Sequence, residues 1–600
     1  MPDQVIPITD LAAIGLVQDT PSMSLPPNAF TNCQNVRFSE GAVRKMAGEK
    51  SVLSSLSNVK YVAYWPGPTT NRYVVIRYSS GSSANVDVYD VLTDNTISTL
   101  KNSTLSGTMS VSSTDSGNWQ HTLFNGGFQI ILNNGTSTPT FIQEGLAGPT
   151  KLPGWDSYLA QENVVDLTYN PNYADFPLGR AIDFSKERIV ITHTPRDSNL
   201  PISQGELTTA TSTQIRAARG TTYGAVNAQY HVSTTGNGIT LSNIVNFSGV
   251  TIGDRIQISI QKIPAINVTA SIVRAYGNLL VAGNLLESAR SGGQVQRRMT
   301  GVIRTSDVAA PGSMPTNWNP FFTGVNTADE FTLASTGIIR DMVELQGVLY
   351  VYTDSSIHAI QHTNNVTVPF QISPVTDAYG AIGIDSVLEV DGKHIVVGSD
   401  DIYVFAGHPG SITSIANGKV RYNTFFSNKD IRVLRFNKHD ELWFYRSGSS
   451  EIFIWNYRNN TWTRRVQSTI TAGTVGHDSV YFATTTSLLD VDKGYSTTES
   501  FVQKDKIALT PEFNTESIHS FALLTEGTGS LDIRVIGTDK PGEAVTDIST
   551  ATANPFTIST DYKQDVRLTA RFLTYKITHS SNNNFSLSGI QLQIGKGGQR

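Results

Sequence analysis

One cysteine, Cys33, occurs in 600 residues, so no intrachain disulfide can form, and neither a cysteine-based zinc site nor a CxxC redox motif is possible. Charge is also scarce. Asp, Glu, Lys and Arg make up 16% of the chain, against about 25% in an ordinary soluble domain, and Ser, Thr and Asn fill the difference. The 45 basic and 50 acidic residues leave a formal charge of −5 with no block of one sign, which argues against a strongly basic nucleic-acid binder. No apolar run approaches the roughly 18 residues of a membrane helix. The opening MPDQVIPITD lacks the basic and apolar regions of a signal peptide, so synthesis and folding in a cytoplasm are expected. The sequons at Asn102, Asn134, Asn246, Asn267, Asn365, Asn459 and Asn584 read as turns.

Long amphipathic helices are missing as well. Short segments rich in β-branched and aromatic residues recur instead, among them RYVVIRY, FQIILNN, RIVITHT, VLYVYTD, DIYVFAG, ELWFYRS and EIFIWNY. They are separated by Gly, Asn and Asp turns such as NGG at Asn125 and DG at Asp391. The chain therefore reads as all-β.

Aligning the strands by their turns exposes a loose repeat in segments beginning at His121, Asp341, Asp385 and Val433. Each runs strand, tight turn, apolar strand, polar turn, aromatic strand. The turns at Gly347, Gly392 and Asp440 lie roughly 45 residues apart, the spacing of propeller blades. Segments at Val59 to Val91, Arg180 to Thr194 and Thr474 to Val491 can supply further blades. The expected architecture is an irregular β-propeller of about six blades, with a small inserted β-barrel and a C-terminal β-sandwich-like domain. In residues, 1–50 join the propeller, 51–200 form its first part, 201–301 the inserted barrel, 302–495 its second part, and 496–600 the sandwich and tail.

Catalytic signatures are absent: there is no GxxxxGK[ST], HExxH, GxSxG or strand-to-helix GxGxxG. LDVDKG spaces Asp490 and Asp492 as in a calcium loop, but Gly494 stands at the third ligand position and no acid at the twelfth, so it reads as a strand entering a turn. Asp400 and Asp401 are adjacent, point to opposite faces of an extended chain and suit a polar turn better than acid-base work on a sugar. The 11 histidines form no cluster. No catalytic, cofactor-binding or metal-binding residues are expected. The aromatic stretch from Leu442 to Arg465, with Trp443, Trp455 and Trp462 beside Arg446, Arg458, Arg464 and Arg465, could stack bases or sugars. The reading preferred here places the tryptophans between blades, on the alternate buried positions of their strands.

Several phrases resemble a known family. SLPPNAFTNCQNVRFSEGAVRKMAGE, from Ser24 to Glu49, resembles the opening of tail nozzle proteins of short-tailed bacteriophages, also called tail tubular protein B or packaged-DNA stabilisation proteins. The matching residues are Leu25 to Phe30, Asn35 to Phe38 and Gly41 to Arg44. NWNP at Asn317 to Pro320, the stretch AYGAIGIDSVLEVDGKHIVVGSDDIYVFAG leading into GKVRYNTFF from Gly418, and the end RFLTYKITHSSNNNFSLSGIQLQIG are similar to later parts of the family.

The resemblance implies a structural virion protein of the tail, assembled in the host bacterial cytoplasm. It implies a homo-oligomer, a ring of six subunits attached below the portal and the head-to-tail adaptor, with tail fibres or tailspikes alongside. Double-stranded DNA would pass through the lumen without sequence specificity, and the distal tip would meet the host envelope. A lumen dense in Lys and Arg would brake DNA through counterion release, whereas the formal charge of −5 per subunit suits a low-friction channel. Arg421, Arg432 and Arg435 are candidates for DNA contact because their basic phrase lies beside a turn-rich stretch, with ion pairing as the plainer alternative. A competing reading is a host-surface saccharide-binding, or receptor-binding, tail protein. A propeller glycosidase is a third.

Overall fold

A computed structural model describes the chain except residues 1–3, 79–81, 112–117, 156–160, 171–174, 179–181, 183, 185–186, 195, 197–202, 208–212, 217–227, 238–239, 249, 251, 263–266, 289–296, 319–326, 336, 364–368, 429, 477–478, 497, 511–513, 544, 546–547 and 597–600. Asn319 and Pro320 of the NWNP phrase, Asn365 and the end of the basic tail lie outside the described residues. Among the described residues, strands and short 3-10 turns account for all regular structure and there is no α-helix. The chain divides into two compact units. One comprises 1–136, 140–150 and 333–600, and the other 137–139 and 151–332.

Among its described residues the first unit holds six blade-like sheets, in each of which the first three strands form an antiparallel meander in chain order, as a β-propeller requires. Their first two strands are Val59–Pro66 and Asn71–Tyr78, Gln120–Phe124 and Gln129–Asn133, Ile339–Leu345 and Val348–Thr353, Val387–Val390 and Lys393–Val397, Ile431–Phe436 and Glu441–Arg446, and Ala472–Val475 and Val480–Ala483. First strands of successive sheets lie side by side: Ile339–Leu345 against Val387–Val390, then Ile431–Phe436, then Ala472–Val475, then Val59–Pro66. The turns that marked the repeat join corresponding strands. Gln346 and Gly347 have φ of 53° and 81°, Asp391 and Gly392 of 50° and 75°, which is the left-handed pair that a tight hairpin needs.

The second strand of a blade is sandwiched between neighbouring blades, and both of its faces are covered. Gln129–Asn133 and Val480–Ala483 are buried throughout, and in Glu441–Arg446 only the last residue is partly open. Such a strand needs a continuous apolar run, which explains LWFY at Leu442 to Tyr445. The expected alternation of buried and open positions does not hold there, because Leu442, Trp443, Phe444 and Tyr445 are all buried.

The N-terminal segment is woven through the rest of the first unit. Gly15–Leu16 and Ala29–Phe30 extend the fifth blade. Gly15, at φ 74°, would place a Cβ 2.8 Å from the Trp462 carbonyl oxygen, so only glycine fits this approach. Lys50–Leu53 pairs with Leu488–Asp490 and completes the sixth blade. Between them, Asn32–Gln34 joins one sheet of the C-terminal domain, and Val36–Ser39 and Ala42–Lys45 join the other. These two sheets share a core that includes Phe521, Leu531, Ile533, Phe556, Tyr575, Ile590 and Leu592, and so form the C-terminal sandwich.

In the second unit, two four-stranded sheets share a core of Ile189, Ile191, Leu207, Val232, Ile256, Ile258 and Ile260 and make the barrel-like insert. Glu187–Thr194, within the segment read above as a further blade, belongs to this insert: it pairs with Arg255–Lys262 and Ser203–Leu207. A third sheet, Asn267–Tyr276, Leu279–Ser288, Arg297–Thr305 and Glu330–Thr332, is another meander in chain order. Trp318 of the NWNP phrase is buried and meets Trp155 edge to face at 4.7 Å between centroids.

Candidate functional site

The arginines singled out in the sequence are engaged within the chain. Arg432, on the first strand of the fifth blade, donates to the Trp119 carbonyl at 2.6 Å and to Asp385 at 2.9 Å, with its guanidinium 5.7 Å from the Tyr61 ring centre. Arg435 donates to Asp391 at 2.6 Å and lies over Tyr457. Arg421 donates through Nε to the Asp400 carbonyl at 2.9 Å and has Asp401 3.9 Å away. The remaining cations follow suit. Arg446 lies over Phe425, Arg458 lies over Tyr457 near Asp440, and Arg464 pairs with Glu451. Arg465 is buried over Trp443, and burial pushes its guanidinium down to about 10.

The three tryptophans of this stretch are core residues. Trp443 stacks on Phe482 of the sixth blade, and Trp462 stacks on Phe444 and Trp455. They therefore present no open platform to a base or sugar.

Asp492 is a buried hub of charge. It accepts from Lys438 at 2.9 Å and His439 at 3.1 Å, and the Arg37 guanidinium lies 3.7 Å away. Arg37 also grips buried Glu441 with Nε at 2.5 Å and Nη2 at 3.1 Å, while Trp443 Nε1 donates to the same carboxylate at 3.0 Å. Burial opposes ionisation of Asp492, but hydrogen bonds from His439 and Lys438 and the charge of Arg37 outweigh it and hold the carboxyl well below its usual range. Asp490 is raised by burial. The Asp492 carboxylate thus serves internal cations, and among the described residues no group of three or more His, Cys, Asp or Glu side chains is placed to hold a metal ion.

Asp400 and Asp401 close the turn between the second and third strands of the fourth blade, where Gly398 N–H donates to the Asp401 carbonyl at 2.8 Å. Asp401 accepts from the Ile402 N–H and the Ser414 hydroxyl. Facing this turn across a cleft of about 440 Å³ is the loop 421–427. Val397, Ile402, Ala416 and Phe426 supply apolar lining, while Ser399, Asp400, Tyr422, Asn423 and Thr424 supply polar groups. The loop is held from a distance of 400 residues. Asp19 accepts from the backbone N–H of Arg421 at 2.5 Å and of Tyr422 at 3.2 Å, and the Lys419 carbonyl accepts from Gln18 N–H at 2.7 Å. Sequence reasoning singled out Asp400, Asp401 and Arg421 but missed Tyr422 and Asp19. Tyr422 stood in the quoted phrase GKVRYNTFF, whereas nothing local marked Asp19.

No family model matches the chain, and no curated protein matches it. Among solved structures it is similar to PorZ, a surface component of the type-IX secretion system of Porphyromonas gingivalis, at 8% identity over 92% of this chain and 88% of that one, with a TM-score of 0.22. It is similar to the β-propeller domain of Cps50 (Swd1) from Myceliophteria thermophila at 10% identity over 77% and 99%, with a TM-score of 0.25. A third is YCF48 from Cyanidioschyzon merolae, at 8% identity over 74% and 98%, with a TM-score of 0.23.

Proposed function

We propose that the chain is a structural tail protein of a short-tailed bacteriophage, one subunit of a nozzle ring below the adaptor that retains packaged DNA and conducts the genome during ejection. The observation that carries this reading is the interlocking of the phrases similar to the nozzle family. Leu25–Phe30 enters the fifth blade, Asn35–Phe38 and Gly41–Arg44 enter the sandwich, and the phrase from Gly418 is fastened to Gln18 and Asp19. The phrases therefore act as one framework that ties propeller to sandwich. Such a framework suits a part that must transmit load without opening.

Charge supports the same reading. Arg421, Arg432 and Arg435 each have a carboxylate partner within the chain, so little positive charge is left at these positions to grip phosphates. No catalytic step is assigned. The test is localisation on virions. A tag after Arg600, decorated with gold and imaged in negative stain, should appear on the axial stub below the head; label on peripheral appendages would overturn the proposal in favour of host-surface binding.

A further inference from the structure

The cleft between the turn 398–401 and the loop 421–427 has the makings of a ligand site of its own. Its volume of about 440 Å³ lies within the span of roughly 300–1,000 Å³ usual for small-molecule sites. Its lining combines apolar side chains with a rim of groups able to donate and accept, the composition such sites favour. At the rim stands Tyr422, 75% exposed and flanked by the Arg421 guanidinium, 5.5 Å from the ring centre.

An aromatic ring that open to water loses apolar burial that the fold could have given it. Its exposure is enforced: Asp19 fixes the backbone at Arg421 and Tyr422, and the Arg421 side chain ties the loop to the opposite wall through the Asp400 carbonyl. Both walls are thus held in place before any ligand arrives, which lowers the ordering cost of binding. The Asp400 carboxylate and the Tyr422 hydroxyl have no hydrogen-bond partner among the described residues, although both belong to the cleft.

We infer that this cleft binds a saccharide. A sugar ring offers an apolar C–H face for Tyr422 and a set of hydroxyls for Asp400, Asn423, Ser399 and Thr424. The carboxylates of Asp400 and Asp401 at one wall disfavour phosphates and nucleic acid. The inference does not rest on the nozzle reading, because it concerns a property of the isolated chain.

Saturation-transfer difference NMR on the full chain, with maltotriose, chitotriose and a rhamnose-containing O-antigen oligosaccharide as probes, tests it. Transfer to at least one probe is expected. Tyr422→Ala should weaken that probe about tenfold and Asp400→Asn by a smaller factor, with Tm unchanged in both because the two side chains are exposed. The proposal fails if no probe receives transfer, or if transfer persists undiminished in Tyr422→Ala. It also fails if the wild type ignores all three probes while Tyr422→Ala blocks incorporation into virions, since the cleft would then be a protein contact. Gold labelling of virions reads the nozzle proposal separately, so either can fall alone.

Discussion

Single tyrosines and histidines pin neighbouring blades together through hydrogen bonds that cross the apolar wedges. Tyr352 donates to His394 Nδ1 at 2.7 Å, and His394 Nε2 donates to the Glu344 carbonyl at 3.1 Å, a pattern that fixes the neutral tautomer. Burial pushes His394 down to about 4 from its ordinary 6.5. The unfolded chain therefore binds the extra proton first, so this contribution to stability is whole above pH 6.5 and lost as pH falls toward 4, amounting to about 3 kcal/mol at most. His394→Gln, which can keep both hydrogen bonds, should flatten the stability profile over that interval in urea titrations. Asp492 acts at lower pH. Its depressed carboxyl stabilises the fold above the ordinary carboxylate range of about 4 and ceases to do so as pH falls through it. Asp492→Asn should cost about 3 kcal/mol at neutral pH, because Lys438 and His439 lose their partner, and should blunt the acid sensitivity of the denaturation midpoint.

At the level of elements, the turns and the closing strand decide how the blades hold. Thr353 and Ser356 in the third blade and Thr484 and Ser487 in the sixth make the same small turn: the Ser N–H donates to the Thr hydroxyl, and the two hydroxyls meet at 2.7 and 2.8 Å. The likeness is chemical and hides in the strings TDSS and TTTS, so the sixth blade was recognisable only loosely from sequence. Its outer strand comes from the other end of the chain. Leu53 is buried opposite Leu488 in Lys50–Leu53, so Leu53→Ala should lower stability by about 2–4 kcal/mol. Hydrogen exchange at Leu488 to Asp490 should quicken with it, since those amides would lose their protecting strand.

For the whole molecule, the two ends of the chain are structurally one region. Gln4–Thr9 pairs with Phe585–Lys596, and Asn32–Gln34 pairs with Ser500–Ala508. The sandwich is thus built from residues that precede the propeller as well as from those that follow it. Buried Lys504 donates to the carbonyls of Ser22 and Leu25, which fastens the start of the nozzle-like phrase to the sandwich. A truncation after residue 495 would strip Gln4–Thr9 and Ala42–Lys45 of their partner Phe585–Lys596, and Asn32–Gln34 of its partner Ser500–Ala508, so domain deletion is a poor assay of sandwich function. Localisation on virions with the chain intact, where an axial signal is expected, is the measurement suited to this construction.

The all-β class, the blade rhythm and the burial of the tryptophans followed from the sequence, because tight turns demand Gly, Asn or Asp and large aromatics between β-branched residues seek the core. These are local requirements, and a local string can carry them. The covering of LWFY on both faces did not follow, since alternation was expected there. The role of the arginines could not be read that way, since Asp385 and Asp391 lie more than 40 residues from Arg432 and Arg435. The candidate cleft was half legible: Asp400, Asp401 and Arg421 stand in phrases that drew notice, but Tyr422 becomes a site only once Asp19 holds its backbone in place. Which strand closes the sixth blade, which carboxylate cancels which cation and which ring is left open to water were decided by tertiary structure, because each depends on a partner that only folding brings within a few ångströms.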